Sequence, residues 1–216
     1  RARPAGSARH GTFGNGTLYL MTQKRYPFER SWRWGIIRLC DFFLDPFHPL
    51  NPKGSFPSRV QNVLVVRLDQ IGDLICALPV FPALRKCFPQ ARIAVLTGWE
   101  GEAILRGNPF IDETMIFFPN WFSRKGPGGK EVPSICPAGT RYLSYFEVVS
   151  QLQERRFDVG YDLRGDLRNI LLMALGGVRY RGAYGIAGGA GWVHDVRDYD
   201  EAMHQAELNI HLIGGV

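Results

Sequence analysis

Val63-Leu64-Val65-Val66-Arg67-Leu68-Asp69-Gln70-Ile71-Gly72-Asp73-Leu74 decides how the rest of this chain is read. Four apolar residues, three of them β-branched, run into a charged stretch. A glycine and an acid follow, and then a second apolar segment opens with Ile75, Ala77, Leu78, Val80, Ala83 and Leu84. A short, continuous apolar run bounded by a turn is how a strand covered on both faces reads. The order is therefore strand, tight loop, helix start. In an open α/β sheet, ligands sit outside the carboxyl ends of such strands. A helix start adds free N–H groups and partial positive charge. The loop from Arg67 to Asp73 is the first place to look for chemistry.

Working outward, the alternation repeats from Val60 onward. The pattern predicts strands near 62–68, 92–97, 113–118, 157–162 and 179–184, and helices near 73–87, 99–107, 141–155, 166–176 and 201–213. Alternating βαβα implies an α/β fold, a parallel sheet with helices on both faces. Pro79 and Pro82, inside the first helix, predict a kink or an irregular first turn. Residues 119–140, with Asn120, Gly126-Pro127-Gly128-Gly129, Pro133 and Pro137, break the rhythm and read as an exposed insertion.

Upstream of this core the composition changes. Residues 1–20 are rich in Arg, Gly, Ala and Ser and read as a disordered lead-in, with Met21 a candidate start. Residues 27–47 place Trp32, Trp34, Ile36, Ile37, Leu39, Phe42 and Phe43 against an arc of Arg30, Arg33, Arg38, Asp41 and Asp45. Pro27 and Pro46 bracket this amphipathic helix. It either packs on the main domain or lies on an anionic membrane surface, to which Lys24 and Arg25 would add attraction. Asn51 to Ser58 reads as a linker. The expected division is 1–58 as lead-in, helix and linker, and 59–216 as the α/β domain.

The 216 residues suffice for one well-packed domain with an appendage. A formal net charge of +6 suits an acidic partner, be it nucleic acid, an anionic membrane or a phosphorylated glycolipid. The basic residues are not grouped into runs with interleaved aromatics, which argues against nucleic acid. The four cysteines, Cys40, Cys76, Cys87 and Cys136, form no C-x-x-C pair, and no histidine cluster has metal-ligand spacing. They read as buried thiols of a reducing compartment. No secretory signal pattern is read, and no apolar run approaches the roughly 20 residues that span a bilayer.

The loop after the first strand is neither of the common phosphate cradles: G-x-x-x-x-G-K-[ST] and G-x-G-x-x-G are both missing. What stands there, Arg67-Leu68-Asp69-Gln70-Ile71-Gly72-Asp73, resembles the N-terminal signature of glycosyltransferase family 9, the lipopolysaccharide heptosyltransferases. The resemblance continues, in the family's order, through Ala77-Leu78-Pro79, Phe88-Pro89, Asn108-Pro109-Phe110-Ile111-Asp112-Glu113 and Tyr161-Asp162-Leu163-Arg164-Gly165-Asp166. It covers roughly residues 60 to 216. It implies the N-terminal, acceptor-side half of a GT-B glycosyltransferase, two Rossmann-like domains facing each other across a cleft, with the donor half missing from this chain. It implies an inverting, metal-independent transfer with no cofactor. The donor would be a nucleotide sugar, ADP-heptose foremost, and the acceptor a lipopolysaccharide-type glycolipid. The place would be cytoplasmic, peripheral on the inner face of the cytoplasmic membrane.

The resemblance makes Asp73 the catalytic base that takes the acceptor hydroxyl proton; on its own it would read as an acid capping the helix. Gly72 would supply a positive φ or let substrate approach the backbone. Arg67 either meets an anionic acceptor or pairs with Asp69 on the surface. Arg164, Asp166 and Arg168 follow the strand 157–162 and so share an edge with Asp73; two arginines around one acid suit a phosphate or an acidic sugar, or form a solvated helix cap. The run Gly185-Ile186-Ala187-Gly188-Gly189-Ala190-Gly191 suits close approach to phosphate or a mobile connection, with Arg179 and Arg181 adding charge. Asp198-Tyr199-Asp200 matches the D-x-D of metal-dependent glycosyltransferases but precedes a helix, away from any strand end, and is read as a helix-start acid cluster. Two rival functions remain at this stage: a non-catalytic Rossmann-like module binding a nucleotide or sugar, and an oxidoreductase, against which the missing glycine fingerprint counts.

Overall fold

The computed structural model describes residues 54–117 and 143–214. The expected lead-in, the amphipathic segment 27–47 and the insertion 119–140 lie outside the described residues. The elements run β1 (Asn62–Arg67), α1 (Ile71–Ala77), α2 (Val80–Cys87), β2 (Arg92–Thr97), α3 (Trp99–Leu105), β3 (Glu113–Ile116), α4 (Tyr145–Arg155), β4 (Val159–Asp162), α5 (Leu167–Leu175), β5 (Tyr180–Tyr184), a 3-10 turn (Ala190–Trp192), β6 (Asp195–Arg197) and α6 (Gln205–Ile213). The six strands form one sheet in the order β3-β2-β1-β4-β5-β6, and every pairing is parallel. This is a Rossmann-like α/β sheet, as the alternation predicts.

The two-residue period of β1 sorts its side chains onto two cores. Val63 and Val65 join Ile93, Val95, Val159 and Tyr161 under α1, α2 and α6. Leu64 and Val66 join Ala94, Leu96 and Met115 under α4 and α5, which contribute Val148, Leu152, Leu172 and Met173. Residues 63–66 are fully buried, so neither face tolerates a polar replacement, and burial on both faces explains why β1 reads as an unbroken apolar run.

Three departures from the sequence reading have local causes. The first helix is two helices: α1 ends at Ala77, and Pro79 stands at the N-cap of α2, where its missing N–H costs nothing. The last helix begins only at Gln205, because His204 caps it, its Nδ1 accepting from Ala206 N at 3.2 Å. A sixth strand, β6, adds to the edge beside β5; at three half-exposed residues, Asp-Val-Arg, it carries no apolar signature. Among the described residues no helix is long and apolar enough to cross a membrane.

The sheet order fixes where a ligand can sit. After β1 the chain moves outward through β2 to β3, then returns to lay β4 on the other side of β1. The loops following β1 and β4 therefore leave the sheet side by side where the direction of winding reverses, the crevice that open α/β sheets use for binding.

Candidate functional site

Two loops meet at that crevice. The first begins with Arg67, the last residue of β1, which is 2% exposed. A buried guanidinium must be paired and hydrogen-bonded, and this one is: Nη1 donates to Leu163 O at 2.6 Å, Nε lies 3.5 Å from Asp69 Oδ1, and Nη2 lies 3.5 Å from Asp73 Oδ1. Asp73 occupies the first turn of α1, whose N-cap residue, Gln70, makes no side-chain capping hydrogen bond. Its side chain is 44% exposed, against 6% for Asp69. Of the two carboxylates beside Arg67, only Asp73 is open to a ligand.

The second loop follows β4. Asp162 ends the strand with no solvent exposure. It accepts from Asp166 N at 2.8 Å, Asn169 Nδ2 at 3.0 Å and Arg164 N at 3.3 Å. Gly165 turns the chain with φ of +72°, and a Cβ there would lie 2.3 Å from Tyr184 O, so the position requires glycine. Asp166 then caps α5 by accepting from Arg168 N, and the Arg168 side chain returns to it through Nε at 2.9 Å and Nη2 at 2.6 Å. Arg164 joins the two loops, 3.6 Å from Asp69 and 3.8 Å from Asp166. The result is a chain of alternating sign across the crevice: Asp73, Arg67, Asp69, Arg164, Asp166, Arg168.

Burial shapes the acids unequally. It pushes Asp162 up to about 7, against the hydrogen bond from Asn169 and with the help of the nearby Asp166 charge. It also raises Asp69, against the opposing pull of Arg67 and Arg164. At Asp166 burial pulls upward as well, but the hydrogen bond and charge of Arg168 prevail and hold the carboxyl below the usual range.

Asp73, Arg67, Arg164, Asp166 and Arg168 thus come together at one edge. The Arg67–Asp69 pair is buried, where the sequence reading allowed a surface pair. Gly72 is not among the glycines with positive φ; it lies in the first turn of α1, and a Cβ there would meet nothing within 4 Å. Of its two expected roles, only the open approach has a geometric basis. Arg179 and Arg181 do not join the site. Arg179 pairs with Asp158 at the opposite, N-terminal edge of the sheet, and Arg181 is buried, donating to Trp192 O and Val178 O.

The glycine-rich run after β5 is tied down: Ala187 bridges to Asp166, and a Cβ on Gly189 would come within 2.8 Å of Leu167. Asp198 and Asp200 lie between β6 and α6, with Asp200 accepting from Ala202 N, so they precede the helix rather than start it. Among the described residues no group of three or more His, Cys, Asp or Glu is placed to hold a metal ion. Cys87 is an exposed free thiol and Cys76 a half-buried one, which corrects the expectation of buried thiols; Cys40 and Cys136 lie outside the described residues.

Sequence reasoning passed over Asp162 and Asn169. The available signal was an acid closing an otherwise apolar strand, and an asparagine inside the apolar helix Leu167–Leu175.

No protein-family model matches the sequence, and no curated protein does. Solved structures match the fold. A glycosyltransferase family 9 protein from Veillonella parvula DSM 2008 superposes with a TM-score of 0.55 at 16% identity, covering 75% of this chain and 43% of its own. E. coli ADP-heptose lipopolysaccharide heptosyltransferase II gives 0.54 at 20% identity, covering 70% of this chain and 40% of its own. E. coli heptosyltransferase WaaC with ADP-2-deoxy-2-fluoro heptose gives 0.54 at 13% identity, covering 72% and 48%. The chain spans less than half the length of each. Over that span, this chain has the fold of the glycosyltransferase family 9 heptosyltransferases.

Proposed function

We propose that the crevice between the β1 and β4 loops is the acceptor side of an inverting, metal-independent glycosyltransferase. The observation that carries the reading is the half-exposed carboxylate of Asp73, backed by the buried Arg67 and flanked across the crevice by Arg164 and Arg168. In the reaction, Asp73 accepts the proton of an acceptor hydroxyl as that oxygen attacks the anomeric carbon. The bond from the anomeric carbon to the nucleoside diphosphate breaks, the diphosphate leaves with the electron pair, and attack from the opposite face inverts the centre. Arg67 fixes the orientation of Asp73 without touching substrate. Arg164 and Arg168, with Asp166 holding them, orient an anionic group of the acceptor. The open space at Gly72 admits the acceptor beside Asp73.

The donor proposed is a nucleotide sugar, ADP-heptose foremost, because WaaC structures of this fold are described with ADP and with a fluorinated ADP-heptose. No cofactor is required. Because the chain covers 40–48% of the matched structures, the whole reaction is proposed for a two-domain protein whose other domain holds most of the donor. The acceptor is a lipopolysaccharide-type glycolipid at the cytoplasmic face of the membrane.

The test is an assay of the full-length protein with ADP-heptose and a lipid A–core acceptor in the presence of a chelator. Release of ADP with a glycosylated product of inverted configuration is expected. Nucleotide binding without transfer would reduce the protein to a binding module, and a requirement for a divalent metal would overturn the metal-independent mechanism.

A further inference from the structure

We infer that Asp162 is a positioning residue for the acceptor: from inside the fold, it shapes the turn that presents Arg164 and Arg168 to the crevice. The inference rests on the glycosyltransferase reading. Asp162 touches no solvent and so no substrate. A carboxylate at the end of an apolar strand is costly unless its oxygens are used, and here three donors use them, all from the segment that follows. Two are backbone N–H groups of the turn itself, Arg164 and Asp166; the third is the side chain of Asn169, in the first turn of α5.

The turn is held from the β1 side as well. Leu163 O accepts from Arg67, and Leu163 N donates to Val66 O at 3.2 Å. Between these two anchors Gly165 supplies the left-handed residue that aims the backbone of Asp166 at Asp162. Without the carboxylate, the Arg164 and Asp166 N–H groups lose this acceptor. Arg164 then no longer has a fixed base from which to reach Asp69, nor Asp166 from which to hold Arg168.

One orphan atom makes the inference sharply testable. Asn169 Oδ1 is buried and has no hydrogen-bond partner. In Asp162→Asn, the new amide N–H can donate to that oxygen while the amide carbonyl keeps the bond from Asp166 N. Both bonds on Asp162 Oδ1, from Arg164 N at 3.3 Å and Asn169 Nδ2 at 3.0 Å, are given up; the new N–H bond to Asn169 Oδ1 replaces the second, so the uncompensated loss is the one from Arg164 N. Asp162→Asn should therefore fold and release the Arg164 backbone selectively, whereas Asp162→Ala releases the whole turn.

The experiment measures acceptor KM, donor KM, kcat and amide exchange at Arg164 and Asp166 in the full-length protein and both variants. For Asp162→Asn, exchange at Arg164 should quicken while Asp166 stays protected. Acceptor KM should rise roughly 2- to 10-fold, the range one lost hydrogen bond spans. Donor KM and kcat at saturating acceptor should stay within about twofold, and Asp162→Ala should raise acceptor KM further. A merely structural role would instead lower thermal stability and kcat, through fewer active molecules, with acceptor KM unchanged; that result in folded variants overturns the positioning role. If Asp162→Ala does not fold, the Asp162→Asn values decide alone. Absence of any transfer by the unsubstituted protein is a different failure, which removes the proposed function and the acceptor role of Asp162 with it.

Discussion

Arg67 is a buried positive charge, and Leu163 O from one loop and the carboxylates of the buried Asp69 and the half-exposed Asp73 from the other surround it. Removing one member of such a buried set leaves the rest uncompensated. Arg67→Met should cost about 3–5 kcal/mol in urea denaturation. Arg67→Lys should recover only part of this, because a single ammonium cannot reach Leu163 O and both carboxylates together. Asp162 makes a prediction about pH. Its carboxyl is raised to about 7 in the fold from about 4 in the unfolded chain. Its contribution favours the folded state most below pH 4 and is lost as pH rises toward 7, since the fold must then carry the buried charge. Stability relative to Asp162→Asn should therefore fall between pH 4 and 7 and level off above. Asp166 acts with the opposite sign: held low by Arg168 despite its burial, it adds stability above the ordinary carboxylate range that is lost as pH drops. The sequence shows Asp73, Arg164 and Arg168 as candidates because charged residues after strands can be read directly. It does not show that Arg67 would be buried and Asp73 open, because exposure depends on the neighbouring loop from β4, nearly a hundred residues away.

At the scale of elements, two glycines make opposite predictions. Gly165 sits at a positive φ with Tyr184 O in the space of any Cβ. Gly165→Ala should destabilise the protein by about 2 kcal/mol or more, from the left-handed backbone alone and the carbonyl clash in addition. Gly72 lies in a helix with open space around it. Gly72→Ala should be neutral or stabilising by up to about 1 kcal/mol. If the acceptor approaches through that space, the same change should raise acceptor KM without lowering the melting temperature; an unchanged KM would remove Gly72 from the site. The elements themselves were largely legible. The β1 run, the prolines in the first helix and the strand–helix alternation each carry a local physical signal. What escaped lacked one: β6 is three residues long and polar, and α6 starts late because a histidine, an uncommon cap, closes its first turn.

For the whole molecule, the sheet order matters more than any single helix, because it places the β1 and β4 loops together, while the common strand direction leaves Arg179, just before β5, at the far edge. No strand alone encodes that reversal, so the shared edge of Asp73 and Arg164 followed from parallel strands but their adjacency did not. The basic balance and the Trp- and Arg-bearing stretch 27–47 lead to a further expectation: salt-sensitive binding to anionic vesicles that is lost when residues 1–55 are deleted. Equal cosedimentation of the two forms would count against a membrane role for that stretch. The central claim is that Asp73 takes the acceptor proton, and Asp73→Asn in the full-length protein tests it most directly. The substitution preserves size but cannot accept a proton near neutral pH. With folding and donor affinity intact, kcat should fall about 10²- to 10⁴-fold; a folded Asp73→Asn protein with near-normal kcat would contradict the account.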